Sequence, residues 1–142
     1  MLLLSIKPNY ADRILDGSKK VEFRRRHPRQ IELGTRMLIY ASSPVRALIG
    51  TAVVVEVVEA SPEEAWDVYQ GVGGIDHEQF NAYYEECDRA VVIRLSKPLR
   101  LSRAIPLDDL RAKWPGFHPP QQFAYMSSDR VKKISRAMPQ MS

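Results

Sequence analysis

The order of apolar and polar positions predicts short strands interleaved with short helices. Leu2 to Ser5 is an apolar run that reads as a buried strand, ended by Lys7-Pro8. Pro8 suits the first turn of a helix. Tyr10, Ile14 and Leu15 then keep helical spacing up to Gly17, a natural C-terminal cap. Lys20 to Arg25 alternates, with Val21 and Phe23 on one face and Glu22 and Arg24 on the other, as in a half-buried strand. Glu32-Leu33-Gly34-Thr35 is a turn before a third strand, Arg36 to Ala41. After the loop Ser42-Ser43-Pro44, Ala47 to Glu59 is a long β-branched run in which Gly50 marks a bulge.

Ser61-Pro62-Glu63-Glu64 starts a helix, with Ser as cap and Glu at the third position, and the helix runs to Tyr69. Gly71 to Gly74 breaks it, and Asp76 caps another through Phe80, Tyr83 and Tyr84. Ala90 to Leu95 is a strand bounded by Lys97-Pro98. Pro106 opens a helical turn over Leu107 to Arg111, and Pro119-Pro120 leads into a short strand, Phe123 to Met126. Ser127 or Ser128 caps a last amphipathic helix carrying Val131 and Ile134. Five or six short strands without strict βαβ repetition predict an α+β domain over residues 1–142. Its expected form is a small, partly open barrel of five or six strands with peripheral short helices. Val21, Phe23, Leu38, Val53, Val55, Val91 and Ile93 are the expected core.

Composition narrows the classes. The chain is 44% hydrophobic over 142 residues, enough for one core. No apolar run approaches the roughly 20 residues of a membrane span. The opening Met1-Leu2-Leu3-Leu4 is too short for a signal core, so a cytoplasmic location and no membrane partner are expected. The lone Cys87 rules out an internal disulfide, and its acidic neighbours argue against a reactive thiolate. His27, His77 and His118 have no ligand spacing, so neither a metal nor another cofactor is expected.

Net charge is +4, and its distribution matters more than its size. Lys19, Lys20, Arg24, Arg25, Arg26 and Arg29 fall within eleven residues, with Glu22 the one acid among them. Arg130, Lys132, Lys133 and Arg136 form a second basic group. Lys19 sits in a turn three residues before Glu22, so the two can meet at the mouth of a barrel as an anion clamp or a proton-transfer pair. Alternation puts Arg25 on the strand face opposite Arg24. Tyr40-Ala41-Ser42-Ser43 carries an aromatic that can stack on a base and hydroxyls that suit phosphate.

Ser5-Ile6-Lys7-Pro8, Gly17-x-Lys19-x-x-Glu22-x-Arg24, Tyr40-Ala41-Ser42-Ser43-Pro44 and Pro119-Pro120-Gln121-Gln122-Phe123-Ala124-Tyr125 occur in this order. Together they resemble the ASCH (activating signal cointegrator homology) domain of the PUA-like superfamily. The resemblance implies a β-barrel with a cleft beside the Gly-x-Lys-x-x-Glu-x-Arg segment that holds RNA or a nucleoside-like ligand. The candidate ligand-binding residues are then Lys7, Lys19, Glu22, Arg24, Arg26, Tyr40, Ser42, Ser43, Phe123 and Tyr125. One branch of the family resembles an amidohydrolase of acylated cytidine that uses Lys, Thr and Glu. Its Lys corresponds to Lys19, but its Thr falls at Glu22, so that hydroxyl is missing here. Other relatives cleave RNA with Lys, Tyr and Ser, for which Lys19, Tyr40 and Ser42 or Ser43 are candidates.

Three functions follow. The first is an RNA- or nucleotide-binding module, which the missing Thr favours. The second is an enzyme, ribonuclease or amidohydrolase, with Lys19 and Glu22 as its acid–base pair. The third is a protein-interaction domain that uses Tyr83-Tyr84-Glu85-Glu86.

Overall fold

A computed structural model describes residues 1–137. Six strands form one sheet: β1 (Leu2–Ile6), β2 (Val21–Arg24), β3 (Arg36–Ala41), β4 (Ala47–Ala60), β5 (Ala90–Pro106) and β6 (Phe123–Tyr125). Their order across the sheet is β2-β5-β4-β3-β1-β6. β1 and β3 run parallel, and every other neighbouring pair is antiparallel. The helices α1 (Pro8–Leu15), α2 (Pro62–Tyr69), α3 (His77–Tyr83), α4 (Leu107–Lys113) and α5 (Ser128–Lys133) lie around it, with a 3-10 turn at Ser135–Ala137.

Strand alternation sorts the apolar residues into separate clusters. Leu2, Leu4 and Ile6 of β1 join Met37 and Ile39 of β3 and Ala11 and Ile14 of α1 inside the curl. Leu3, Leu38, Tyr40 and Leu48 point the other way, onto Leu110, Trp114 and Phe117. Val21 and Phe23 of β2 pack on Ala65 of α2 and Phe80 of α3. The caps behave as their residues require: Ser61 accepts from the Glu64 amide at 3.1 Å and Asp76 from the Gln79 amide at 2.8 Å.

The curl is closed by a side chain. β2 and β6 are the two edges of the sheet. From β2, the Arg24 guanidinium donates to the carbonyl of Gln122, just before β6, at 3.1 Å and to that of Ser5 in β1 at 2.9 Å. These bonds span the open seam of a partly closed barrel, where no backbone ladder joins the edges.

Several expectations are corrected. β5 does not stop at Leu95. It runs to Pro106, because Lys97-Pro98 is taken up where Thr51 and Val53 of β4 pair with Leu99 and Ser96, so one residue of β4 faces two of β5. A bulge of this kind tolerates the missing Pro98 donor. The expected bulge at Gly50 is present, since Ile39 and Tyr40 pair with Gly50 and Leu48 and Ile49 is the extra residue. A Cβ on Gly50 would lie 2.8 Å from the Leu99 carbonyl oxygen, so the close approach of the β5 backbone requires glycine there. Val55 is exposed and Val53 only half-buried, because these positions of β4 face away from the clusters. Val21, Phe23, Leu38, Val91 and Ile93 are buried as expected. Glu22 and Arg24, expected on the polar face of a half-buried strand, are buried with the rest of β2.

Candidate functional site

The alternation of β2 sends Val21 and Phe23 into the core and turns Glu22 and Arg24 to the opposite side, where a cleft of about 880 Å³ opens. Lys19 reaches the same place from the turn after α1. Glu22 Oε2 accepts from Arg24 Nη2 at 2.7 Å and from Arg24 Nε at 3.2 Å, and Glu22 Oε1 lies 3.5 Å from Lys19 Nζ. All three side chains are buried.

Lys19 is held on every side. Its Nζ donates to the carbonyl of Gly73, in the loop between α2 and α3, and lies 5.4 Å from the Tyr10 ring centroid and 5.2 Å from that of Phe23. Burial lowers its pKa, and Glu22 offsets that only in part. Burial alone would raise the Glu22 pKa, but the Arg24 and Lys19 cations outweigh it and hold the carboxyl below its ordinary range. Glu22 is therefore a fixed anion at neutral pH, not a carboxyl poised to exchange its proton.

The loop after β3 forms another wall. Tyr40 is 1% exposed, with its ring packed edge-on against Phe117. It nevertheless lines the cleft, together with the half-buried Ser42 and the exposed Ser43 and Arg46. Burial raises the Tyr40 pKa, and the charges of Arg46 and Arg111 offset part of the rise. Its hydroxyl stays protonated at neutral pH and is a donor. Base stacking on Tyr40, anticipated from the sequence, is closed off because both ring faces are inside the protein.

Lys7 is exposed on the cleft wall. Arg26, Phe123 and Tyr125 do not line the cleft. Arg26 is exposed elsewhere, and Phe123 packs on the core beside Tyr125. The Tyr125 hydroxyl accepts from the Gln30 amide at 3.1 Å. Residues that the sequence reading left out of the cleft take their places. Arg25 lines the cleft because β2 ends at Arg24 and the chain bends there, which frees Arg25 from the strand's alternation. Arg46, Tyr10, Tyr83 and Gln122 also line it. Two of them carried a signal: Tyr10, an aromatic at a helical position close to the Lys19 turn, and Gln122, inside the motif from Pro119 to Tyr125.

The surface suggested for a protein partner is reduced. Tyr84 is buried and its hydroxyl donates to the Arg24 carbonyl at 2.8 Å, while Tyr83 faces the cleft, leaving Glu85 and Glu86 outside. Among the described residues no group of three or more His, Cys, Asp or Glu could hold a metal ion, and no helix is long and apolar enough to cross a membrane.

Comparison with known proteins adds a family to this geometry. The ASCH domain model matches residues 4–99. The ASCH domain-containing ribonuclease of Zymomonas mobilis is 31% identical over 134 residues, which cover 93% of this chain and 88% of that protein. The crystal structure of ASCH from Zymomonas mobilis is 30% identical, with a TM-score of 0.90 over 95% of this chain and 93% of its own. The N-terminal domain of Staphylothermus marinus McrB shares the fold alone, at 15% identity and a TM-score of 0.60 over 95% of this chain and 92% of its own. A barrel laced across its seam by Arg24, with the Gly-x-Lys-x-x-Glu-x-Arg segment at the floor of its cleft, thus belongs to the ASCH family.

Proposed function

We propose that this chain binds single-stranded RNA in the cleft and cleaves it there. The observation that carries the reading is the pairing of two chemistries in one cavity: a buried Lys19–Glu22–Arg24 cluster at its floor, and Tyr40 with Ser42, Ser43 and Arg46 on another wall. A buried ion cluster costs desolvation and is weak evidence for stability, so its position in a cleft favours a functional use. Lys7 and Arg46 supply cations along the cleft for phosphates. Cleavage in which the ribose 2′-hydroxyl attacks the phosphorus breaks the bond to the 5′ oxygen of the next nucleotide, and Tyr40, protonated and nearly dry, suits the donor to that leaving oxygen or to the charged non-bridging oxygens. Lys19 and Glu22, engaged with Gly73 and Arg24, fit a role in setting the field and shape of the floor. The relative in Zymomonas mobilis is itself described as a ribonuclease, which supports turnover over binding alone.

The test incubates end-labelled single-stranded RNA, and separately N-acetylated cytidine, with wild type and Tyr40→Phe, followed by chromatography. The expected result is RNA fragments from the wild type, a rate lower by about a hundredfold in Tyr40→Phe, and no deacetylation by either. RNA left intact by the wild type but shifted on a gel would reduce the protein to a binding module. Deacetylated cytidine would favour the amidohydrolase branch.

A further inference from the structure

The cleft carries a cation arranged unlike the others. Arg25 lies just beyond β2, and its guanidinium carbon sits 4.3 Å from the centroid of the Tyr83 ring. Its Nε and Nη2 both donate to the Tyr83 carbonyl, at 3.0 and 2.5 Å. That carbonyl ends α3, where the helix itself offers no donor. The guanidinium is thus held against the ring and tied by two bonds to the backbone of the same residue. Tyr83 is anchored in turn: its ring meets that of Tyr84 at 4.9 Å and 74°, and Tyr84 is buried. Arg25 itself is exposed.

A guanidinium plane has two faces. Tyr83 covers one side of the Arg25 guanidinium, Arg25 as a whole is exposed, and both residues line the cleft. No carboxylate among the described residues neutralises Arg25. An exposed arginine ordinarily keeps its rotamer freedom, and here that freedom is given up for contacts which leave a flat cationic surface facing the cavity. Such a surface fits a π-system stacked parallel to it, and an RNA base is the π-system that a phosphate-binding cleft would meet.

We propose that Arg25, seated on Tyr83, is a base-stacking platform that takes one nucleobase of the RNA and accepts any of the four. This rests on the reading of the cleft as an RNA site and assigns the place of the base within it. Stacking recognises the face of a base, so the platform contributes affinity without sequence preference, while the other cations meet phosphates.

The test uses short single-stranded RNA, 2′-O-methylated so that it cannot be cleaved, with 2-aminopurine at each position in turn. Wild type is expected to quench the fluorophore strongly at one position and to bind the oligonucleotide lacking that base less tightly. Arg25→Ala should weaken binding about tenfold and abolish the quench. Arg25→Lys separates plane from charge: it should keep the salt dependence of binding and lose the quench and the preference over the abasic oligonucleotide. Binding and quenching by both variants equal to wild type would overturn the platform and leave the RNA reading standing. Absence of any binding by the wild type would overturn both. If Arg25 is only a strut between β2 and α3, the variants will melt at lower temperature yet still prefer the base-bearing RNA, which also overturns the platform.

Discussion

Glu22 holds its place between two cations, and its neutral form would leave Arg24 and Lys19 facing each other inside the protein. Glu22→Gln should therefore destabilise the fold by about 3 kcal/mol at neutral pH, the scale for removing one partner of a buried pair. The pH dependence follows from the lowered pKa. Between the folded value and the unfolded 4.5, the unfolded chain binds more protons. The stabilisation is thus complete above 4.5 and disappears as pH falls through the folded value. Urea midpoints measured from pH 7 to pH 3 should show the gap between wild type and Glu22→Gln narrowing with acid; parallel curves would contradict the assignment. The spacing Lys19-x-x-Glu22-x-Arg24 announced that these charges could converge. It did not announce that Arg24 would span the seam, because Gln122 is 98 residues away in sequence.

At the scale of elements, the Gly-rich break between α2 and α3 gains a purpose beyond ending a helix. Gly73 presents its carbonyl to Lys19, and Gly74 has φ +61° with its missing Cβ 2.6 Å from Lys19 Cβ. Gly74→Ala should cost about 1–2 kcal/mol in backbone strain alone and also displace Lys19. Gly71 has a negative φ and open space around it, so Gly71→Ala should be close to neutral. Thermal melts of the two variants side by side check this, and equal melting temperatures would refute it. Element identity was largely legible, because capping residues such as Ser61 and Asp76 and the alternation of β2 act locally. The extent of β5 was not: Pro98 reads as a stop, and only pairing with β4 reveals a bulge. Arg25 was assigned to the wrong side for a similar reason, since a strand's last residue depends on its partner, here β5, and not on its own pattern.

At the scale of the molecule, the strand count, the α+β class and the partly open barrel followed from the number of short β-rich runs, whereas the contacts that hold the curl did not. A sheet with edges β2 and β6 can lie open or curl, and the choice depends on contacts between segments far apart in the chain. Those contacts also create the cleft, which is why Arg46 and Tyr83 escaped a reading based on local motifs. The protein has two basic regions, the cleft and the terminal helix with Arg130, Lys132 and Lys133, and net charge cannot choose between them.

The most direct test titrates the isotopically labelled protein with a short, non-cleavable single-stranded RNA and maps the backbone amide shifts. The account predicts saturable changes at residues 5–7, 19–25, 40–46, 82–83 and 121–122, weakening with added salt. Changes confined to residues 128–136, or none at all, would contradict it.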